Sequence, residues 1–390
     1  MTKDLVAGTT TGVVLVAQAV AYSALAGLPP TAGLYAALVA PLLYAAIGRS
    51  VVLAAGPTAI SSLLVGQALA GMDDLPVLLA HAALLAGLVG VVQLVAATVR
   101  LHRLAKYITP VVLVGFLAGA AVRIVLTQLE HLATHRGAFH IPTAGIGLSA
   151  VVLLMLPLPA KLEPFKALRT VAVMIGYTVL CFFFAWDTPT IGRIPAGLPM
   201  PALPWAGEGV EFASLAPLAA PAALIALLSF IEGIGASAAR PQELRPGREL
   251  VALGAANLAA SFARGYPVSG GLSRTAVNAN SGAQTRWAGV VSSGVVVLVL
   301  LVGSPLLAPM PTAILAAVVT AGVISLIDVP AMREADRRRR WVIAVTALGT
   351  FALGVGVGIG LGVATELMTR RWGPWPKEPF SRRSRSEPTG

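Results

Sequence analysis

Apolar residues fall in long blocks along the whole chain, most of them long enough to cross about 30 Å of hydrocarbon as helices. The blocks lie near residues 5–26, 32–48, 76–99, 108–128, 143–159, 168–186, 214–238, 249–264, 287–307, 311–328, 341–353 and 354–369. Two shorter ones, 57–71 and 268–282, sit between them. The pattern predicts an all-α polytopic membrane protein of about fourteen passes. Some of these passes are too short or too rich in glycine to be plain helices. The first block lacks a sizeable basic leader and an A-x-A cleavage signal, so it is expected to be a retained helix.

Polar positions between the blocks set the orientation. With the N-terminus cytoplasmic and the segments alternating, the basic residues fall inside at Lys3, Arg49, Arg100, Arg103, Lys106, Lys161, Lys166, Arg169, Arg240, Arg245, Arg248, Arg286, Arg333, Arg337 to Arg340 and the tail from Arg370. Arg136 and Arg193 fall outside with Asp73, Asp74, Asp187, Glu208 and Glu211, while Arg123, Arg264 and Arg274 lie within spans or at their edges. A wrong segment count would mix these sets, so the positive-inside bias supports a multi-pass protein of the cell membrane with both termini cytoplasmic.

Composition narrows the class further. Only 12% of the 390 residues are charged, 56% are hydrophobic and mean hydropathy is +0.82, against about 25% charged in a soluble domain. A net charge of +11 would suggest nucleic acid, but these cations act as topology signals, and no nucleic-acid partner is expected. The single cysteine, Cys181, excludes an intrachain disulfide and any multi-cysteine metal site. Ser/His/Asp sets, HExxH and P-loops do not occur, so neither an enzyme nor a cofactor is expected.

Irregular backbone at membrane depth survives only where protein buries it or where it lines a cavity. A matched pair of Gly/Pro-interrupted segments in the two halves therefore points at a transporter's binding site. The first is Ala55-Gly56-Pro57-Thr58-Ala59-Ile60-Ser61-Ser62 and the second Tyr266 to Thr275, each about 50 residues after the start of an earlier span. Each reads as an extended piece turning into a half-helix, with Pro57 in the first helical turn and Ser269 as a cap. Two half-helices meeting at mid-membrane bring together two positive dipole ends, a setting for an anion.

Arg274 would add fixed positive charge there, since a charge at mid-span costs about 2.5–3.5 kcal/mol and needs a reason; the alternative is a purely structural guanidinium. Glu232, the acid deep inside a span, either carries a proton with the substrate or forms a permanent ion pair with Arg274. Gln18 either donates to an anion or bonds helix to helix. Glu130, His131, His135 and His140 read as a solvated outer loop, not a metal site. His81 is placed on a helix face near the outer end, and Arg123 is expected to snorkel. Glycines at 354, 356, 358, 360 and 362 put small residues on two helix faces for close packing.

At these same residues the chain resembles the sulfate permease (SulP) family of anion transporters. The matching stretches are Gln18 to Tyr22, Leu25 to Pro30, Gly33-Leu34-Tyr35, Gly56-Pro57, Gly115-Phe116, Ile194 to Pro199, Tyr266-Pro267-Val268, Ser273 to Asn278 and Leu326-Ile327-Asp328. The resemblance implies two inverted seven-segment repeats. Their core would be 1–107 (segments 1–4) with 213–309 (segments 8–11). The gate would be 108–212 (segments 5–7) with 310–370 (segments 12–14), followed by a basic tail, 371–390, expected to be disordered and to lie on anionic lipid. It also implies an anion held at Gln18, Thr58, Ala59, Ser273 and Arg274, with Glu232 coupling transport to a proton or sodium. Two departures are Ala17 in place of the Pro that usually precedes Gln18, expected to soften the break in segment 1, and an expected lack of the STAS domain that normally follows segment 14. Homodimer contacts are left open by that second departure. The function so implied is secondary active, elevator-type transport of a small anion (sulfate, bicarbonate, chloride or a dicarboxylate). A nucleobase permease of the same fold and an uncoupled anion channel are the alternatives.

Overall fold

A computed structural model describes residues 1–100, 109–135, 137–158, 166–184, 186–192, 194–207, 209–237 and 245–370. The basic tail, Arg136, Arg193, Lys161 and Arg240 lie outside the described residues.

The helices are α1 (Thr2–Leu25), α2 (Pro30–Ile47), α3 (Ala59–Ala68), α4 (Leu75–Thr98), α5 (Pro110–Ala133), α6 (Ile141–Met155), α7 (Lys166–Phe184), α8 (Leu215–Ser237), α9 (Pro246–Phe262), α10 (Leu272–Asn280), α11 (Trp287–Leu298), α12 (Ser304–Leu307), α13 (Thr312–Ile324), α14 (Val329–Glu334), α15 (Arg337–Leu353) and α16 (Val355–Arg370). Four two-residue strands accompany them: β1 (Ala55–Gly56), β2 (Thr134–His135), β3 (Ala138–Phe139) and β4 (Ser269–Gly270). Every apolar block of the sequence carries a helix, and among the described residues six helices are long and apolar enough to cross a membrane.

Local chemistry explains the ends. Pro30, Pro76, Pro142 and Pro246 occupy first-turn positions, where a missing N–H costs nothing. Asp328 and Asp336 cap α14 and α15 by accepting from Ala331 and Arg339 N–H. The outer surface is apolar, with Leu153, Ile175, Phe182, Phe183, Leu298 and Leu348 all exposed, as lipid-facing helices require.

The chain divides into two compact units, Met1–Lys106 with Ala121–Leu326, and Tyr107–Ala120 with Ile327–Gly390. In the first, α4 packs on α9, α1 on α11 and α2 on α9. Glycine lets the backbones touch: a Cβ at Gly90 would come 2.8 Å from Gly254 O and 2.9 Å from Leu258 N. In the second, α15 packs on α16. Gly358 and Gly362 sit against Thr350 and Thr346, whereas Gly360 faces open space. Gly358 and Gly362 thus make the close contact of the run, and Gly354 serves at φ 96° as the hinge between the helices.

Three expectations are corrected. The span at 287–307 is broken by a π turn at Val299–Gly303. The outer loop begins later than expected, because α5 continues through Glu130 and His131 to Ala133, and β2 pairs with β3 as a small hairpin carrying His135. Glu232, expected deep inside a span, is half-buried, and among the described residues the buried acids are Asp4, Glu249 and Glu366. Glu249 accepts from Tyr44 Oη and from Arg49 N–H, and Glu366 accepts from Thr109 Oγ1.

Replacing Gly90 by Val should force α4 off α9 and destabilise the protein by about 1–3 kcal/mol. Gly145→Ala, placed where nothing lies within 4 Å, should leave the melting temperature in detergent unchanged. Equal melting of both variants would contradict this packing.

Candidate functional site

The two interrupted segments meet. β1 pairs antiparallel with β4 in the register Ala55↔Gly270 and Gly56↔Ser269, and Gly271 N–H donates to Ala54 O at 3.1 Å. Each strand leads directly into a short helix, β1 into α3 and β4 into α10. The unpaired first-turn N–H groups of both helices therefore lie beside the strand pair.

The caps differ from expectation. Pro57 stands before the N-cap and not in the first turn; Thr58 is the cap, its Oγ1 accepting from Ser61 N–H at 3.4 Å. Ser269 caps nothing. It sits inside β4 and donates to Ser229 O at 3.0 Å, leaving Gly271 to start α10.

Hydrogen bonds from the surrounding helices hold the strands. Asn257 of α9 grips Val268 at both ends, accepting from its N–H at 2.8 Å and donating to its carbonyl at 3.1 Å. Gln93 of α4 in turn accepts from Asn257 at 3.0 Å and donates to Ser229 and to Ala226 O. On the other strand, Thr275 Oγ1 accepts from Ala54 N–H at 3.1 Å and Asn278 donates to Val52 O at 2.9 Å.

Arg274 lies within this frame, 1% exposed. Its Nη1 donates to Gln18 Oε1 at 2.6 Å and to Pro57 O at 2.7 Å, while Nε and Nη2 have no partner among the described residues. Glycine makes the room: a Cβ at Gly56 would come 3.2 Å from Nη2, and one at Gly271 2.7 Å from Cζ. Since a guanidinium only donates, the Gln18 oxygen must face it, which turns the Gln18 amide N–H groups away. Of the two open readings, the structure shows the helix-to-helix bond. Gln18 bonds α1 to α10 and keeps donors spare. α1 runs unbroken through Ala17 and Gln18.

Glu232 reaches the same place from α8. Its Oε2 accepts from Thr58 Oγ1 at 3.0 Å, and Ser269 lies beside the same carboxyl. No salt bridge joins Glu232 and Arg274 among the described residues, so the two share the site without direct ion pairing.

A cavity of about 260 Å³ opens against α1 and α10. Gln18, Tyr22, Ser273, Asn280, Arg169 and Ser325 line it, with aliphatic side chains between them. Of the expected site residues, Gln18 and Ser273 line the cavity; Thr58, Ala59 and Arg274 are buried and do not line it. On α10, Ser273, Ala276, Val277 and Asn280 form the cavity face at i, i+3, i+4 and i+7, while Arg274, Thr275 and Asn278 point back into the frame. Sequence reasoning missed Tyr22 and Asn280, which the helical period from Gln18 and from Ser273 would have found. It also missed Asn257 and Gln93, whose signal was a polar side chain at mid-span, and Arg169, which it counted only as a topology marker.

Comparison with known proteins now bears on this geometry. The model of the sulfate permease family matches residues 1–139 and 130–347. A probable sulfate transporter of Mycobacterium tuberculosis is 36% identical over 394 residues, covering 94% of this chain and 69% of that protein. The chloroplastic sulfate transporter 4.1 of Arabidopsis thaliana is 33% identical over 83% of this chain and 51% of its own length. Among solved structures, the transmembrane domain of the cyanobacterial bicarbonate transporter BicA superposes with a TM-score of 0.80 at 22% identity, covering 92% of this chain and 97% of that one. The murine solute carrier 26 family member A9 anion transporter, in its inward-facing state, gives 0.81 at 20% identity, covering 95% and 68%. These structures share the fold, an all-α membrane transporter. The relatives are transporters and not enzymes. The chain belongs to the sulfate permease family.

Proposed function

We propose that the chain is a secondary active transporter of a small inorganic anion, of the sulfate class named for its relatives. The observation that carries this reading is the Arg274 guanidinium, buried between two helix starts with two donor nitrogens that have no partner among the described residues. A buried donor without an acceptor costs about 1–3 kcal/mol. An anion seated against Ser273 and the spare Gln18 N–H groups would answer that charge and the two dipole ends together. The cavity can hold an oxyanion with some of its water, at about 30 Å³ per water molecule.

Coupling falls to Glu232, with a proton as the coupling ion. The hydroxyls of Thr58 and Ser269 both meet the Glu232 carboxyl, and a hydroxyl can donate to the ionised form or accept from the protonated one. Protonation of Glu232 removes the negative charge nearest the seat and favours the anion's arrival. Movement is of the elevator type, the core (1–107 and 213–309) sliding against the gate (108–212 and 310–370). The protein works in the cell membrane with both termini cytoplasmic, and a homodimer is its proposed assembly.

Two outcomes test this in proteoliposomes loaded for labelled sulfate uptake. Arg274→Ala should weaken apparent sulfate affinity by about 10- to 100-fold, the worth of a charge-assisted hydrogen bond; unaltered affinity would remove Arg274 from the seat. Glu232→Gln should abolish stimulation by an inward proton gradient while sulfate counterflow continues. Stimulation that persists in this variant refutes the coupling role, and uptake that never saturates in the unaltered protein would mark a channel.

A further inference from the structure

We infer that Arg169 supplies a second fixed positive charge to the anion cavity and so favours a divalent oxyanion over a monovalent anion; this rests on the cavity being the substrate seat. Arg169 belongs to the first turn of α7 and is the charged side chain among those lining the cavity. It shares that wall with Thr170, Asn280 and Ser325, all polar and uncharged.

The side chain is pinned. Its two terminal amines donate to Leu154 O and Leu156 O, the free carbonyls that end α6, and its buried Nε–H has no partner among the described residues. Neutral carbonyls fix a guanidinium in place without cancelling its charge, as basic residues do at helix C-termini. Among the described residues no carboxylate lies in ion-pair range of it. Arg169 therefore keeps its formal charge at the cavity wall, offset in part by the negative end of the α6 dipole; a merely structural cap could have been satisfied by a side chain without that charge.

Charge counting then selects the substrate class. Arg274 and Arg169 contribute two positive charges, and Glu232 carries the opposing one. With Glu232 protonated, two cations remain, matched by one dianion. A monoanion would leave one of them unanswered in a low-dielectric site.

Coulomb energy scales with the product of charges, so removing one cation costs a dianion twice the free energy it costs a monoanion. The fold-loss for sulfate should therefore be about the square of the fold-loss for chloride. The purified protein is tested by binding of radiolabelled sulfate and its displacement by chloride. Arg169→Gln should weaken chloride about threefold and sulfate about tenfold, and Arg169→Lys should preserve the sulfate preference. Equal losses for the two anions would reduce Arg169 to a cap of α6, and no loss for either would take its charge out of the cavity; both overturn the inference. Should Arg169→Gln not fold, Arg169→His carries the test. Its sulfate-to-chloride preference should drop more than the unaltered protein's between about pH 5.5 and about pH 8, and an equal drop overturns the inference. Arg274→Gln, measured alongside, separates the two readings. If it spares both anions the seat itself is misplaced, whereas if it weakens both while Arg169→Gln leaves their ratio intact, only the second charge is refuted.

Discussion

The structure depends on one exchange of backbone hydrogen bonds. A helix that stops in mid-membrane exposes N–H and C=O groups to a medium with no water to receive them, and each unsatisfied group costs several kcal/mol. One broken segment alone would be untenable. Two of them, paired as β1 and β4, satisfy each other across four residues, and everything near the site follows from keeping that pair in register. Ser229, Asn257 and Gln93 hold one strand, and Thr275 and Asn278 hold the other. Arg274 closes the set by bonding Pro57 O, the carbonyl that leaves the first strand.

The same arrangement explains why the motif residues are small. Gly56 and Gly271 both border the guanidinium, and a Cβ at Gly270 would come 2.8 Å from Gly233 Cα. A side chain at any of the three would push the strands apart, or push Arg274 or α8 away from them. Glycine here is a requirement of volume. At Gly56, whose φ is 153°, it is also a requirement of backbone conformation.

Much of this was legible in the sequence because membrane physics is severe. Length and hydropathy locate helices well when few charges compete, and the matched Gly/Pro interruptions could only be survivable as a pair. What was not legible depended on direction. Pro57 and Ser269 are residue types that start helices, yet strand pairing shifts each start by one or two residues, so Thr58 and Gly271 take those places. Thr58 and Ala59 stood with Ser273 in the expected site, but the helix period sends Ser273 to the cavity while α3 turns its first residues into the frame. Arg169 carried no distinguishing mark in a chain of 28 basic residues. Only the fold brings the end of α6 and a cavity wall to its two sides.

That Glu232 and Arg274 occupy one site without a salt bridge between them matters for how such a site can work. A buried ion pair with every donor met is self-sufficient, and a ligand gains little by entering it. Here the acid is engaged by Thr58 Oγ1, at the start of α3, while the guanidinium is engaged by Gln18 and Pro57, with two nitrogens left over among the described residues. Each charge is positioned by a neutral partner, and neither cancels the other by contact. In the proposed function, a solute would supply the missing negative charge, or a proton would remove the existing one, at groups that hang on the same strand pair. Thr58, which follows β1, and Ser269 in β4 both meet the carboxyl, and the guanidinium meets Pro57 O between β1 and α3. One hydrogen-bonded frame therefore holds both charges, and a change at either is a change in the bonding of that frame.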